Sequence, residues 1–307
     1  MGKRAGKIVV IPSQPNKENG SYFRYFRPEK WAKRRADRDY NLKSTLDLEK
    51  KLKEFKSCRE PEPFVIKCLE SHIIDDLTCD SSAISSVVIP RRKIREILGG
   101  LEIGYADPDY VRELFEHRRA AEITFSAAKR GDPLTEEFIK ELHRIIITDM
   151  YPGGGQYRSK RVMIQGCPKE PAKPEDIEPR LQKLLASELV HDKSIPIWHR
   201  VERFHLEFED IHPFDDGNGR VGFLLMVYQL ISEGYPPAVI LYSDYVEYFY
   251  AFDVYYRCDN EIPMRNFFTH IIERGVDNYL EVYRRYNDNL MAMKRLNRRK
   301  NRKIAGR

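Results

Sequence analysis

Polar residues between Ile211 and Leu225 are the first place in this sequence where chemistry is expected. The stretch is I-H-P-F-D-D-G-N-G-R-V-G-F-L-L, so a histidine, two aspartates, three glycines, an asparagine and an arginine directly precede an apolar run. At the start of a helix, backbone N–H groups lack intrahelical partners and the helix dipole favours negative charge. The pattern therefore predicts an anion site, most naturally for phosphates.

The individual residue types in this stretch suit phosphate chemistry. Gly217 and Gly219 allow positive φ and close approach of a ligand to the backbone. Arg220 supplies a permanently charged donor fork for phosphate oxygens. Asp216 is a hard oxygen ligand suited to Mg²⁺, which accompanies nucleotide phosphates. His212 stands just upstream, where it could take a proton from an incoming nucleophile.

Other glycine-rich loops fit this stretch less well. A phosphate loop of the G-x-x-x-x-G-K-[ST] kind needs a Lys-Ser/Thr pair, which is absent. A calcium loop beginning at Phe214 would have phenylalanine at its first position and Leu225 at its twelfth, so two main ligands would be missing. A loop in which His212 is only a satisfied structural histidine stays open as the alternative. In either case Phe214 is expected to pin the loop to the core.

The surrounding sequence predicts helices and one small β element. Trp198, Val201, His205 and Phe208 recur at helical spacing, which places His212 at the end of a buried stripe. The run from Gly222 is apolar almost all round, as expected of a central helix. Residues 151–179 are glycine-rich and then β-prone, which favours a short hairpin. The predicted helices are Ser44–Lys56, Pro61–Leu77, Pro108–Lys129, Leu134–Met150, Glu175–Val190, Ser194–Ile211, Gly222–Gly234, Ser243–Cys258 and Met264–Arg299.

The motif closely resembles that of the Fic family, H-x-F-x-[D/E]-G-N-G-R-x-x-R. The matching positions are His212, Phe214, Asp216, Gly217, Asn218, Gly219 and Arg220. The resemblance extends over roughly residues 75–280. It implies an all-α core with a β-hairpin flap before the motif, here at about 155–166, and extra N-terminal helices.

This resemblance implies a protein adenylyltransferase, which transfers AMP from ATP to a Ser, Thr or Tyr hydroxyl of a target protein. His212 would be the general base and Asp216 would hold Mg²⁺. The residues implied to bind the nucleotide phosphates are Gly217, Asn218, Gly219 and Arg220. The flap would hold the target protein by strand addition. Residues 247–251 are similar to the segment that lines the family's base pocket, and Tyr248 is either an adenine contact or plain core packing.

Two departures from the family pattern occur together. Phe223 replaces the last motif arginine, which contacts the terminal phosphate in relatives. Many relatives also carry an inhibitory segment, [S/T]-x-x-x-E-[G/N], whose glutamate pairs with that arginine; the similar stretch here, 81–86, has Ser85 and Ser86 at its last two positions. We expect a protein without the glutamate brake. The alternatives are a transferase that uses a different nucleotide or a diphosphate-linked donor, and a catalytically weak protein that works by binding.

Composition, helical pattern and the family resemblance together divide the chain into four regions. We expect a flexible segment over 1–28, a helical region over 29–100, the Fic core over 101–283 with its motif at 212–223, and a basic helix or tail over 284–307. The net charge is +6, yet residues 1–38 carry +8 and residues 284–307 carry +9, which leaves −11 on the rest. Basic ends can attract nucleic acid, but no DNA-reading motif accompanies them, so solvated tails are the favoured interpretation.

Compartment and assembly are only weakly constrained. No apolar run approaches membrane-span length, and the N-terminal apolar run of four residues is too short for a secretory signal. The five cysteines show no C-x-x-C spacing and are expected to be reduced thiols. We expect a cytoplasmic protein without membrane association. A homodimer is compatible with the sequence, which does not fix the oligomeric state.

Overall fold

The structure is a computed structural model, and it describes residues 42–85, 91–100, 107–147, 153–164, 167 and 169–305. Within these residues the chain is helical and has no β-strand, which confirms the predicted all-α fold. The described helices are α1 (Leu42–Ser57), α2 (Pro63–Ser85), α3 (Arg91–Leu98), α4 (Pro108–Arg130), α5 (Glu136–Ile147), α6 (Pro174–Leu185), α7 (Glu188–His191), α8 (Ile197–Ile211), α9 (Asn218–Ser232), a one-turn 3-10 helix (Tyr242–Asp244), α10 (Tyr245–Cys258) and α11 (Ile262–Ala305).

Helix α4 begins and ends where its sequence signals predict. The side chain of Asp107 accepts a hydrogen bond from the Asp109 N–H, and Pro108 occupies the first helical position, where a missing N–H costs nothing. Gly131 ends the helix in the left-handed conformation, with φ of 71°, which glycine adopts without strain. Its bounds differ by one residue from the prediction.

Two other helix starts differ from prediction because the capping residue differs. Helix α9 begins at Asn218, four residues before the predicted Gly222, because Gly217 caps it with a φ of 78°. Helix α5 begins after Thr135, whose Oγ1 accepts the Phe138 N–H at 3.1 Å, rather than at Leu134. Helix α2 continues to Ser85, well past the predicted end at Leu77.

Helix α9 is the centre of the fold. It packs against α4, α5 and α8, and nearly all its apolar side chains are buried, including Val221, Leu224 and Leu225 at 0% exposure. This confirms the expectation for an apolar helix without a polar face. Because the motif loop lies between α8 and α9, its two ends are anchored in the most buried part of the molecule.

Helix α11 forms one side of the molecule and joins the N-terminal region to the core. Lys51 of α1 donates to Glu273 and Asp277 of α11, each at 2.7 Å. Helix α11 also packs against α8 and α10. It runs to Ala305 rather than to Arg299, so the basic region predicted from residue 284 continues this helix. The other region boundaries stay predictions, and residues 1–28 lie outside the described residues.

A β-hairpin predicted at 155–166 is not present in the part that is described, 155–164. Its backbone donors bond elsewhere instead of forming a ladder. The Arg158 N–H donates to the carbonyl of Pro213 at 3.0 Å, and the Gly155 N–H donates to the His143 ring at 2.9 Å. The segment is therefore held against the motif loop and α5 as irregular backbone.

Among the described helices, none combines the length and the apolar character required to cross a membrane.

Candidate active site

His212 lies at the C-terminal end of α8, as its spacing predicts. Its backbone adopts the left-handed conformation with φ of 48° and ψ of 63°, and its N–H donates to the Phe208 carbonyl at 2.9 Å. The side chain is 18% exposed. A non-glycine residue in this conformation is uncommon and points to a local constraint.

Arg158 supplies that constraint. It is 3% exposed, and its Nε donates to the carbonyl of His212 at 2.7 Å, while a terminal nitrogen donates to that of Ile211 at 3.3 Å. The other contacts go to the carbonyls of Lys160 and Ala172. The guanidinium thus satisfies orphan carbonyls at the end of α8, where a positive charge also favours the helix dipole. No local sequence pattern indicates this role.

The side chain of Asn218 closes the motif loop. Its Oδ1 accepts the Phe214 N–H at 2.9 Å and its Nδ2 donates to the Phe214 carbonyl at 2.8 Å. Asn218 is 2% exposed, so both polar groups of its amide are used inside the protein. The predicted phosphate contact of Asn218 therefore depends on its backbone N–H at the start of α9 rather than on the amide.

Phe214 pins the loop to the core, as expected, through a residue that the sequence analysis missed. It is fully buried and stacks on His143 of α5, with ring centroids 3.7 Å apart and planes within 5°. His143 Nδ1 accepts the Gly155 N–H at 2.9 Å, so Nε2 carries the proton and donates to the Asp216 carbonyl at 3.0 Å. Burial lowers the pKa of His143 to about 4. The available signal was a polar residue on the apolar face of a helix.

The carboxylate of Asp216 faces solvent, beside the start of α9. Its side chain is 83% exposed, and its Oδ2 lies 3.3 Å from a terminal nitrogen of Arg220, which is 10% exposed. No group of three or more His, Cys, Asp or Glu side chains is arranged to hold a metal ion within the described residues. This exposed carboxylate, whose Oδ1 accepts the Gly217 N–H at 2.6 Å, suits Mg²⁺, which keeps several waters and shares its coordination with substrate phosphates.

Gly217 and Gly219 serve different purposes. Gly217 has a φ of 78°, and a Cβ there would lie 3.0 Å from the side chain of Ile147, so the fold itself requires glycine. A Cβ at Gly219 would meet nothing within 4 Å. Gly219 therefore leaves the N-terminus of α9 open, as close approach of an anion to the backbone requires.

Tyr248 and Phe223 both lie in the core. Tyr248 is 5% exposed and its hydroxyl bonds to His205 Nε2 at 2.7 Å. Phe223 is 4% exposed, stacks on the His205 ring at 5.7 Å and meets Tyr248 edge-on at 5.6 Å. Of the two interpretations of Tyr248, this arrangement matches core packing. It also gives Phe223 the packed position expected of an apolar replacement.

The end of α2 carries the stretch that resembles an inhibitory segment. Asp80, next to it, accepts the Tyr242 N–H at 3.1 Å and pairs with Arg91 of α3. These contacts hold the end of α2 against the 3-10 helix that precedes α10. Ser85 is the last residue of α2, and Ser86 lies outside the described residues.

Comparison with known sequences gives one consistent result. A sequence model of the Fic/DOC family matches residues 133–230. A protein adenylyltransferase Fic from Nematostella vectensis is 31% identical over 156 residues, which is 50% of this chain and 35% of that protein. The protein of the same description from Drosophila persimilis is 32% identical over 149 residues, 48% of this chain and 29% of its own length. The match thus spans about a third of these relatives.

Comparison with solved structures supports the fold. A Fic domain containing signaling protein from Bacteroides thetaiotaomicron superposes with a TM-score of 0.68 at 23% identity, over 78% of this chain and 98% of that one. Fic-1 (aa134–508) from C. elegans gives 0.67 at 20% identity, over 79% and 72%. At these identities the likeness establishes the shared architecture.

Proposed function

We propose that this chain, which carries a Fic/DOC domain, is a protein adenylyltransferase that transfers AMP from ATP to a Ser, Thr or Tyr hydroxyl of a target protein. One observation carries the proposal. The short loop between α8 and α9 brings together His212, whose backbone is fixed, an open helix N-terminus at Gly219, and the charged pair Asp216 and Arg220. Base, anion site and metal ligand are the parts that phosphoryl transfer to a hydroxyl requires.

Each residue has one task in this reaction. His212 accepts the proton of the target hydroxyl, whose oxygen then forms a bond to the α-phosphorus as the bond to pyrophosphate breaks. The N–H groups at the start of α9 and the Arg220 guanidinium hold phosphate oxygens. Asp216 would bind Mg²⁺, which neutralises charge on the phosphates. The exposed carboxylate and the open approach at Gly219 both support this division.

We also propose that the target protein binds along residues 155–166. The described part of this segment is irregular and has no strand partner, and Met163 within it is 82% exposed. Arg158 ties the segment to the His212 carbonyl at 2.7 Å. A target strand added there would therefore be held near the base.

A labelling assay tests the central claim. Purified protein, Mg²⁺ and lysate proteins are incubated with ATP labelled at the α phosphate and, separately, at the γ phosphate. AMP transfer leaves only the α label on protein, and His212→Ala removes it. Label from the γ position, or α label that survives in His212→Ala, would contradict the proposal. If ATP gives no label, the assay is repeated with other nucleoside triphosphates and with diphosphate-linked donors.

We propose further that the enzyme works without a glutamate brake. Ser85 stands where the family's inhibitory glutamate is expected, and Phe223 packs in the core in place of the arginine. The matched comparison is Phe223→Arg alone against Phe223→Arg with Ser85→Glu, since both carry the same buried cation. The double variant should label targets more slowly than the single one at equal thermal stability. Equal rates would count against this mode of regulation.

The second candidate, a transferase that uses another nucleotide or a diphosphate-linked donor, is suggested by the same phenylalanine. Phe223 cannot contact a terminal phosphate, because it is buried against His205 and Tyr248. A panel of labelled donors with His212→Ala as control compares ATP with other nucleotides. If no donor gives label that depends on His212, a binding role replaces the enzyme.

A further inference from the structure

One buried carboxylate next to the site has no assigned role. Glu209 lies one helical turn before His212 on α8 and is 8% exposed. Its Oε2 is 3.5 Å from His212 Nδ1. Neither Oε1 of Glu209 nor Nδ1 of His212 has a hydrogen-bond partner among the described residues. The Nδ1 atom of His212 is thus available to Oε2, the carboxylate oxygen that lies 3.5 Å away.

Glu209 differs from the neighbouring acid on the same helix. Asp210 accepts from Arg180 at 2.7 Å and pairs with Lys169 at 2.7 Å, so its charge is balanced by side chains outside the site. In the described part of the chain, the recorded ion pair of Glu209 is the one with His212. A buried carboxylate whose ion-pair partner in the described structure is a histidine, His212, is costly unless that histidine carries charge at some stage.

Gly222 of α9 leaves space for the carboxylate of Glu209. A Cβ at Gly222 would lie 2.9 Å from Glu209 Oε1 and 3.2 Å from the His205 ring. The absence of a side chain at Gly222 therefore lets α8 and α9 approach closely enough to enclose the carboxylate. From α10, the buried hydroxyl of Tyr245 has no hydrogen-bond partner in the described structure. Burial raises the pKa of Tyr256 of α10, and the negative charge of Glu209 adds to that rise.

We propose that Glu209 is a positioning residue that orients His212 as the general base, an inference that rests on the proposed function. With Nδ1 turned to Glu209, Nε2 is left to face the target hydroxyl. In the neutral state Nδ1 carries the proton and donates towards Glu209. When Nε2 takes the hydroxyl proton, the imidazolium is held beside the carboxylate of Glu209. The 3.5 Å separation shortens as charge develops, because catalytic hydrogen bonds are often long before substrate binds.

Two substitutions at Glu209 separate orientation from charge. Glu209→Gln keeps the shape and an oxygen acceptor, whereas Glu209→Leu removes the acceptor. We expect kcat to fall about ten-fold in the first and about a hundred-fold in the second, because a residue that only orients the base should cost no more than the roughly 10²–10⁴-fold that the base itself contributes. The KM for nucleotide should stay the same in both. Glu207→Gln is the matched control, since Glu207 is on the same helix, is 38% exposed and pairs with Arg180, and it should leave kcat unchanged.

A second measurement tests the inference without any activity. Nitrogen chemical shifts of a ¹⁵N-histidine-labelled protein, recorded where imidazole is neutral, report which ring nitrogen of His212 carries the proton. The proton is expected on Nδ1 in the wild type and in Glu209→Gln, and on a mixture of both nitrogens in Glu209→Leu.

The two readouts also distinguish the failure of this inference from the failure of the proposed function. A wild type protonated on Nε2, or a Glu209→Leu protein with unchanged tautomer, overturns the inference. So does unchanged kcat in both variants. If the wild type transfers no nucleotide yet shows the expected tautomers, the proposed function fails while the orienting contact stands.

Discussion

The two halves of the motif loop are held very differently. On the base side, the backbone of His212 is held by the Phe208 carbonyl and by Arg158, and Phe214 is fully buried against His143. On the phosphate side, the Asp216 side chain is 83% exposed and Gly219 faces open space. The loop is thus preorganised where a proton must be taken and open where a ligand must enter.

This difference has a physical reason. A general base works only when its acceptor atom is within hydrogen-bond reach of the proton, so its orientation must be set before the substrate arrives. Magnesium and phosphate bring their own strong charges, and they can organise an exposed carboxylate on binding. Rigid packing at Asp216 would add little and would hinder entry of the ligand.

The substitution with the largest expected effect on the labelling rate lies on the base side of the loop. His212→Ala should lower the rate of target labelling by about 10²–10⁴-fold, while the Kd for the Mg–nucleotide complex stays within about two-fold, because the phosphate side of the loop is untouched. Single-turnover labelling and equilibrium binding measure the two quantities. A similar loss of nucleotide affinity in His212→Ala would contradict the separate roles of the two halves of the loop.

The phosphate side should give the opposite result. Asp216→Ala should weaken Mg-dependent nucleotide binding by roughly ten- to a hundred-fold, of the order found for lost metal-site contacts, with thermal stability unchanged because the side chain is exposed. Asp215→Ala is the matched control, since Asp215 is the adjacent exposed aspartate. Equal losses in both variants would mean that charge near the loop matters rather than a ligand at Asp216.

His143 joins the two halves, so its replacement should affect stability as well as binding. His143→Phe keeps the stacking on Phe214 but leaves the Gly155 N–H and the Asp216 carbonyl without their partner. Each buried group left unpaired costs about 1–3 kcal/mol, and we expect a loss of that order in the free energy of unfolding. Denaturant titration checks it. Unchanged stability would show that the loop does not depend on this link.

The sequence predicted those parts of the site that one short segment encodes. His212 at the end of α8 and the glycine at the start of α9 follow from spacing and from backbone preferences. The roles of Arg158 and His143 did not follow, because their partners lie 54 and 73 residues away along the chain. The start of α9 was predicted four residues late, because glycines suggest a helix break, whereas Gly217 in positive φ is a cap. In the described part of the predicted hairpin, 155–164, hairpin propensity was likewise outweighed by backbone contacts with other segments.

The substitution with the smallest expected effect on stability at neutral pH is that of His117 of α4, which lies beneath the phosphate side of the loop. His117 is 3% exposed, and neither ring nitrogen has a hydrogen-bond partner in the described structure. Burial, and then the Arg220 charge, lower its pKa from 6.5 to about 3. Because a buried polar group without a partner stabilises nothing, His117→Leu should leave stability at pH 7 unchanged or slightly raised.

At acid pH the stability of His117→Leu should differ from that of the wild type. Below pH 6.5 the unfolded chain binds a proton at His117 that the folded protein does not, so the wild type has its full stability above pH 6.5 and loses part of it as the pH falls towards 3. At pH 5 the loss is about 2 kcal/mol, and His117→Leu should escape it. Unfolding in denaturant at pH 7 and pH 5 measures the difference, with the other titrating groups common to both proteins. Equal acid sensitivity would mean that His117 is hydrated or paired in solution, and that the packing beneath Arg220 is as open as the loop above it.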